Sequence, residues 1–380
     1  MKKGIIWLVG LLCMAVILGS SIATAPASAA AAKSEGKTSG FTVGILNPYI
    51  GNNWRAQYVA DAEEVCKRYK ASGELADYQI ATCNNDVSQQ LTQITNMINT
   101  GVDALVIDAA SATALTPVIK RARSEGILVV MSNAPAAYED TIAVICDDPL
   151  FSLVNLTWLA TELGGKGNIV QITGLVGNSE DNLRIASTEK MLKETYPNIK
   201  LLASAPANWV PSEAQAVMST FISTYNNIDG ILQQDITAPG VIRAYENAGI
   251  KAPLMTGDYS FGFLRTWESQ LSEFKSVAYT MSPGIISDVM GVTINLLKGK
   301  TFKEGALQPN PLNPNMVNAI MIEPSYIVTN EPDPNAPWMK GLKYAKSIGV
   351  AEAVKLGEGQ SDEALLDGHM TQEQIDSLFN

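Results

Sequence analysis

From residue 41 onward the chain alternates short, β-branched apolar runs with amphipathic stretches of helical period, an order that few architectures satisfy. FTVGIL at 41–46 reads as a buried strand and is followed by a helix over 53–69. YQIATC at 78–83 comes next, then a helix over 87–99 with Leu91, Ile94, Met97 and Ile98 on one face. ALVID at 104–108, a helix over 114–124, ILVVMSN at 127–133 and TIAVIC at 141–146 complete a first cycle. A second cycle begins after Asp147-Asp148-Pro149 with a helix over 151–163 and NIVQITG at 168–174. It continues through a helix over 184–195, LLASAPA at 201–207, a helix over 213–225 and GILQQD at 230–235. A helix over 240–248, PLMTGD at 253–258 and SVAYTM at 276–281 close it. Strands this apolar, separated by helices of this length, belong to parallel sheets covered on both faces. About nine such strands are too many for one comfortable sheet. The expectation is an α/β protein of two doubly wound parallel-sheet lobes.

The remainder carries less signal. A helix over 285–297 precedes MVNAIMIEPSYIV at 316–328, which reads as one paired strand or crossover. A Pro/Asn/acid-rich loop at 330–337 then leads to helical patterns over 338–348 and 372–379. This tail either packs on a lobe or hangs free.

The first 32 residues are of another kind. Lys2 and Lys3 precede an apolar run at 5–18, and an Ala/Ser/Pro stretch at 22–32 offers a cleavage site at Ala27-Ser28-Ala29. That order is a secretory leader. The apolar run is about 14 residues long, short of the roughly 20 that span a bilayer, and Leu11-Leu12 before Cys13 lacks the small residue of a lipid-attachment box. The expected location is periplasmic or secreted. Net charge is −11, and loss of the two leader lysines takes it to −13. So anionic a surface repels phosphate backbones and anionic lipid, which excludes nucleic acid as a partner. Beyond the leader no segment is long and apolar enough to cross a membrane.

Of four cysteines, Cys66, Cys83 and Cys146 follow the leader. Consecutive elements of an α/β unit pack together, which sets a Cys66–Cys83 bridge beside the alternative of two reduced, buried thiols. Cys146 reads as a small buried hydrophobe. The only histidine is His369, in the polar tail, so a Ser–His–acid or Cys–His device has no core base and His-bearing zinc sites have no ligand. No G-x-x-x-x-G-K-[ST] loop is present, and the glycines around 174–177 and 257–262 lack dinucleotide spacing. Asp235 and Asp258 could serve as a glycosidase pair, but carboxylates at strand ends bind hydroxyls as readily as they cleave bonds. A binding protein without cofactor or metal is the expectation, and a secreted carbohydrate-cleaving enzyme the lesser alternative.

In parallel sheets ligands sit outside the carboxyl ends of the strands. Those ends present Asn52-Asn53-Trp54-Arg55, Asp108, Asn133, Arg184, Asn208-Trp209, Gln234-Asp235 and Asp258. A sugar has hydroxyls that donate and accept in fixed directions, which Asp, Asn, Gln and Arg match, and an apolar C–H face, which an indole matches. Any one of these residues alone more often caps a helix or turns the chain. Their joint occurrence on both halves is what points to a cleft.

From residue 41 to about 328 the order of these segments resembles the ribose/galactose-type (type I) substrate-binding proteins of ABC sugar importers. The resemblance rests on Asn52-Asn53-Trp54 after the first strand, GVDALVIDAASATAL at 101–115, GILVVMSN at 126–133 and the Asp147-Asp148 crossing. GLVGNSEDNLR at 174–184, ILQQD at 231–235 and MTGD at 255–258 complete it. It implies that Asn52, Asn53, Trp54, Arg55, Asp108 and Asn133 bind from the first lobe, and Arg184, Trp209, Gln234, Asp235 and Asp258 from the second. It also implies a monomeric clamshell that delivers its ligand to an ABC permease, or on the same scaffold a ligand-sensing partner of a membrane receptor. The lobes it implies are 41–146 with about 282–310, and 147–281 with about 311–329, leaving 330–380 as an extension. Hinge crossings would fall near 146–149, 281–284 and 308–315. The pattern departs at Asn133-Ala134, where ribose-type members place Asp-Arg, and at Met281, where an amide often stands. Both departures point away from ribose toward a furanose or pyranose of different hydroxyl pattern, or a polyol.

Overall fold

The computed structural model describes residues 36–380, so the expected leader lies outside the described residues. The first cycle comprises β1 (Phe41–Asn47), α1 (Asn53–Ala71), β2 (Leu75–Thr82), α2 (Val87–Thr100), β3 (Ala104–Ile107), α3 (Thr116–Ser124), β4 (Leu128–Asn133) and β5 (Ile142–Cys146). The second comprises α4 (Asp148–Glu162), β6 (Gly167–Thr173), α5 (Ser179–Glu194), β7 (Ile199–Pro206), α6 (Pro211–Thr224), β8 (Gly230–Leu232), α7 (Ala238–Ala248), β9 (Leu254–Thr256), α8 (Phe261–Ser269) and β10 (Ser276–Tyr279). There follow α9 (Ile285–Leu297), β11 (Gln308–Asn310), β12 (Asn313–Ile322), β13 (Tyr326–Thr329), β14 (Lys346–Gly349), α10 (Val350–Leu356) and α11 (Gln372–Asp376). No helix among the described residues is long and apolar enough to cross a membrane.

Two seven-stranded sheets result, in the orders β11-β12-β5-β4-β3-β1-β2 and β14-β13-β10-β9-β8-β6-β7. Each is parallel except for one antiparallel pairing, β11 with β12 and β10 with β13. The strands of the first sheet are apolar throughout because both faces are covered. Val43, Ile45, Val106, Val130 and Val144 enter one hydrophobic cluster, while Leu46, Ile107, Met131 and Ile145 enter the other. Strand order reverses between β3 and β1 in one sheet and between β8 and β6 in the other, which opens a crevice at the carboxyl ends there.

Several expectations fail for identifiable reasons. The single run at 316–328 is two strands in different sheets. Ala319–Ile322 pairs with Ala143–Cys146 in the first sheet, and Tyr326–Thr329 joins the second. The third crossing therefore lies at 323–325 rather than 308–315, where Pro324 has no N–H to continue a ladder. Residues 338–348 are not helical: Pro337–Met339 makes one short turn and Lys346–Gly349 adds β14 to β13. Helix α8 has no counterpart in the sequence reading.

The tail is neither loose nor confined to one lobe. After α10 packs on α8, residues 357–371 cross to the first sheet. The Phe261 amide donates to Ala364 O and the Leu366 amide to Tyr259 O on one side. On the other, the Leu365 amide donates to Gln57 Oε1, and Asp367 and Asp288 accept from the Gly284 and Met370 amides. Helix α11 then closes over α9, which is buried along its whole length. A Cβ on Gly291 would lie 2.7 Å from Ile375, so the two helices meet where only glycine fits. A fourth crossing thus joins the lobes beside the three in the hinge.

The Cys66–Cys83 bridge is absent: Cys66, Cys83 and Cys146 are all free and buried. Helix α1 runs antiparallel to the strands it covers, so Cys66 lies about 20 Å along the helix from the edge where β2 ends, at 1.5 Å per residue. A disulfide tolerates about 7 Å between Cα atoms. The Cys83 thiol instead donates to Pro48 O at 3.2 Å. Native protein should react negligibly with a thiol reagent, these three cysteines should titrate after denaturation, and a reductant should leave the melting temperature unchanged. A melting point lowered by reductant would restore the bridge.

Candidate functional site

Helix α1 aims the first half of the site. Its N-cap, Asn52, accepts the Arg55 amide at 2.9 Å, which fixes the first turn and turns Trp54 and Arg55 toward the strand ends. Trp54 stacks on Tyr58 with ring centroids 5.5 Å apart, and its Nε1 donates to Met281 O at 2.5 Å. The Arg55 guanidinium pairs with Asp108 and lies over the rings of Trp54 and Tyr49. Asp108, at the end of β3, is fully buried and also accepts from Asn133 Nδ2 at 3.1 Å. Gln90 locks this strand end from behind by donating to Asp108 O.

The second half hangs on α5. Asn178 caps it by accepting the amides of Glu180 and Asp181, so Glu180, Asp181 and Arg184 all become buried. The Arg184 Nε donates to Asp148 Oδ1 at 2.7 Å, and Nη1 donates to Asp235 Oδ2 at 2.5 Å and Gln234 Oε1 at 3.3 Å. Its guanidinium plane covers Phe151 and approaches Trp209. Trp209 Nε1 donates to Gln234 Oε1 at 3.1 Å, and the Gln234 amide donates to Asp181. The indole lies on Gly174, where an added Cβ would sit 2.2 Å from the ring. Asp258, beyond β9, accepts the Ser260 amide at 2.6 Å and leaves Oδ2 without a partner.

Asn133, Asn208, Trp209 and Asp235 all have positive φ, between 51° and 60°. For a tryptophan that backbone is costly, and four such residues at the facing strand ends mark where the fold holds strain. The halves meet directly: Asn133 Nδ2 donates to Glu180 Oε1 at 2.9 Å, and Ser179 Oγ donates to Pro135 O at 2.8 Å. Between them lies an inner cavity of about 30 Å³, lined by Tyr49, Asn52, Trp54, Arg55, Asn133, Glu180, Arg184, Trp209, Asp235, Ile236 and Met281. An outer cavity of about 520 Å³ shares Asn52, Trp209 and Ile236 as walls. Asp362 and Glu363 of the crossing tail form one side of that mouth.

Of the residues singled out from the sequence, Asn52, Trp54, Arg55, Asn133, Arg184, Trp209 and Asp235 line the inner cavity. Asp108 and Gln234 stand behind it, holding Arg55 and Trp209. Asn53 and Asp258 border the outer cavity, where Asn53 donates to Glu363 O. Tyr49, Glu180 and Ile236 escaped the sequence reading. Glu180 was missed because α5 begins at Ser179, not at 184, and the Asn-Ser-Glu-Asp run at 178–181 is a helix-start signal. His369 is exposed in the tail. Among the described residues no cluster of His, Cys, Asp and Glu is arranged to hold a metal ion.

Burial dominates the site's electrostatics. It pushes the Asp258 carboxyl up to about 7, against the pull of the Ser260 and Tyr259 amides. It also raises Asp108 and Asp148, although Arg55 and Arg184 oppose the shift. The chamber can therefore orient a small donor-rich molecule between aromatic faces, and it offers hydrogen-bond acceptors in excess of donors.

Residues 43–301 match a family model described as the periplasmic binding protein domain. The chain is 32% identical over 244 residues to the xylitol-binding protein of Mycolicibacterium smegmatis, spanning 63% of this chain and 67% of that protein. It is 28% identical over 219 residues to a galactofuranose-binding protein of Escherichia coli, spanning 55% of this chain and 67% of that one. A solved ABC transporter solute binding protein from Thermobispora bispora superposes with a TM-score of 0.67 at 23% identity, covering 88% of this chain and 93% of its own.

The raised Asp258 carboxyl has a sign that can be checked. Its folded value lies above the usual carboxylate value, so its stabilising contribution is complete below about pH 4 and is lost as pH rises through about 7. The full loss is on the order of 4 kcal/mol at most. Unliganded protein should melt at progressively lower temperature from pH 5 to 8. Asp258→Asn, which keeps an acceptor for the Ser260 amide, should flatten that slope. Identical slopes would place the titration elsewhere.

Proposed function

The chain belongs to the periplasmic binding protein family, and on that premise we propose that it captures a sugar or sugar-like polyol between its two lobes. Capture takes place outside the cytoplasmic membrane, and the ligand is passed unaltered to an ABC-type permease. One observation carries this reading: Trp54 and Trp209 reach the same small chamber from opposite sheets, with carboxylates, an amide and two guanidiniums around them. Indole faces suit the C–H surface of a sugar ring, and fixed polar groups suit its hydroxyls. The xylitol- and galactofuranose-binding relatives support a polyhydroxylated ligand of this size.

The ligand contacts we assign are Asn52, Trp54, Arg55 and Asn133 from the first lobe, and Arg184, Trp209 and Asp235 from the second. Asp108 and Gln234 act through the groups they hold, and Asp258 receives a hydroxyl from the outer side. A ligand touching both lobes favours the closed arrangement only by its differential affinity for it. Closure brings the two surfaces into one register, which a permease can distinguish from the open form.

A thermal-shift screen of pentoses, hexoses and polyols tests the reading, because any tight ligand raises the melting temperature by mass action. Small-angle scattering of the hit complex should show a more compact envelope than the free protein, and the ligand should be recovered unchanged. A chemically altered ligand would sink it. Trp54→Ala and Trp209→Ala should each weaken calorimetric binding by roughly tenfold or more, as truncation of a buried aromatic anchor does. Both variants should keep the circular dichroism of the parent. Unchanged affinity in both would remove stacking from the mechanism.

A further inference from the structure

The chamber contains more negative groups than it neutralises. Arg55 is taken by Asp108, and Arg184 by Asp148 and Asp235. Glu180 and Asp258 remain, and neither makes a salt bridge with a described residue. Glu180 is only 6% exposed and borders the inner cavity. One of its carboxylate oxygens accepts from Asn133, and the other takes no hydrogen bond from the described residues. Independently, Asp258 is fully buried against the outer cavity with Oδ2 unpartnered. Asp108 and Asp235 likewise each keep one buried oxygen without a donor.

A ligand entering this chamber therefore meets free acceptors and no free cation. An acid sugar would have to strip a guanidinium from its carboxylate and leave that carboxylate buried and unpaired. An uncharged polyol satisfies the acceptors with hydroxyl donors. An ammonium brings three donors and a compensating charge, and charge-assisted hydrogen bonds of that kind are about twice as strong as neutral ones.

We propose that the cleft selects its ligand by charge, with Glu180 receiving an ammonium group, so that an amine-bearing polyol or amino sugar is preferred and acid sugars are excluded. This deepens the sugar-capture reading and rests on it. Glu180 also ties the lobes together through Asn133, so the residue that reads the ligand's charge lies on the closing seam.

The test uses matched sets of neutral sugar, amine and acid, such as galactose, galactosamine and galacturonate, with the glucose set and inositol with its monoamines. Isothermal calorimetry of the full chain without its leader at pH 7 should show the amine bound about tenfold or more tighter than its neutral parent, and the acid not bound. Glu180→Gln retains an oxygen that can accept from Asn133 and removes only the charge. In that variant the amine-to-neutral ratio should fall toward one, and its unliganded melting temperature checks that it folds. The wild-type amine-to-acid ratio needs no variant and decides the sign of the selection by itself. Amines bound no better than their parents, or a preference that survives Glu180→Gln, would overturn the charge selection while leaving sugar capture standing. If no member of any set nor of the wider screen raises the melting temperature, the capture reading fails and takes this inference with it.

Discussion

Arg184 ties together parts of the molecule that are far apart in sequence. It is buried, and a guanidinium out of water is tolerable only if carboxylates and acceptors surround it. Asp148 supplies one from the first residue of α4, immediately after the first hinge crossing, and Asp235 supplies the other from the end of β8. Gln234 is drawn in beside Asp235 and in turn fixes the Trp209 indole and Asp181. One charge thus couples the hinge, the start of α5 and an aromatic wall of the chamber. Arg55 does the same work on a smaller scale, through Asp108 and Asn133.

This arrangement has a directional consequence. Because both guanidiniums are already matched by the protein's own carboxylates, the polar capacity left over is almost all acceptor. The fold prepares the cleft for donors and holds it under strain, with Asn133, Asn208, Trp209 and Asp235 in left-handed backbone. The tail contributes from another side. Its crossing closes one edge of the outer mouth and bonds to both lobes, so any opening of the clamshell must be compatible with a fourth connection beside the three hinge segments.

Much of the fold was legible because parallel strands buried on both faces must be apolar along their length, and β1, β3, β4, β5 and β6 show it. What escaped did so for physical reasons. The run at 316–328 is uniformly apolar, and apolarity says that a strand is buried without saying in which sheet; only pairing with β5 or β10 separates β12 from β13. Lys346–Gly349 looked helical because its neighbours are, and became a strand because β13 offered it an open edge. The two cysteines looked adjacent in sequence order, yet an antiparallel helix carries Cys66 away from the strand end. In the site, polar residues at strand ends could be found from sequence, but Glu180 could not be separated from an ordinary first-turn acid.

By itself the sequence determined the alternation of strands and helices, the two-lobed α/β class and the set of strand-end residues from which a cleft could be made, because burial on two sheet faces leaves its mark in every strand. Only the tertiary structure decided which carboxylate neutralises which guanidinium, which oxygens remain free, where the third crossing falls and that the tail straps both lobes. Those outcomes depend on distances between residues remote in the chain, and a charge or an apolar run carries no record of the partner it will meet.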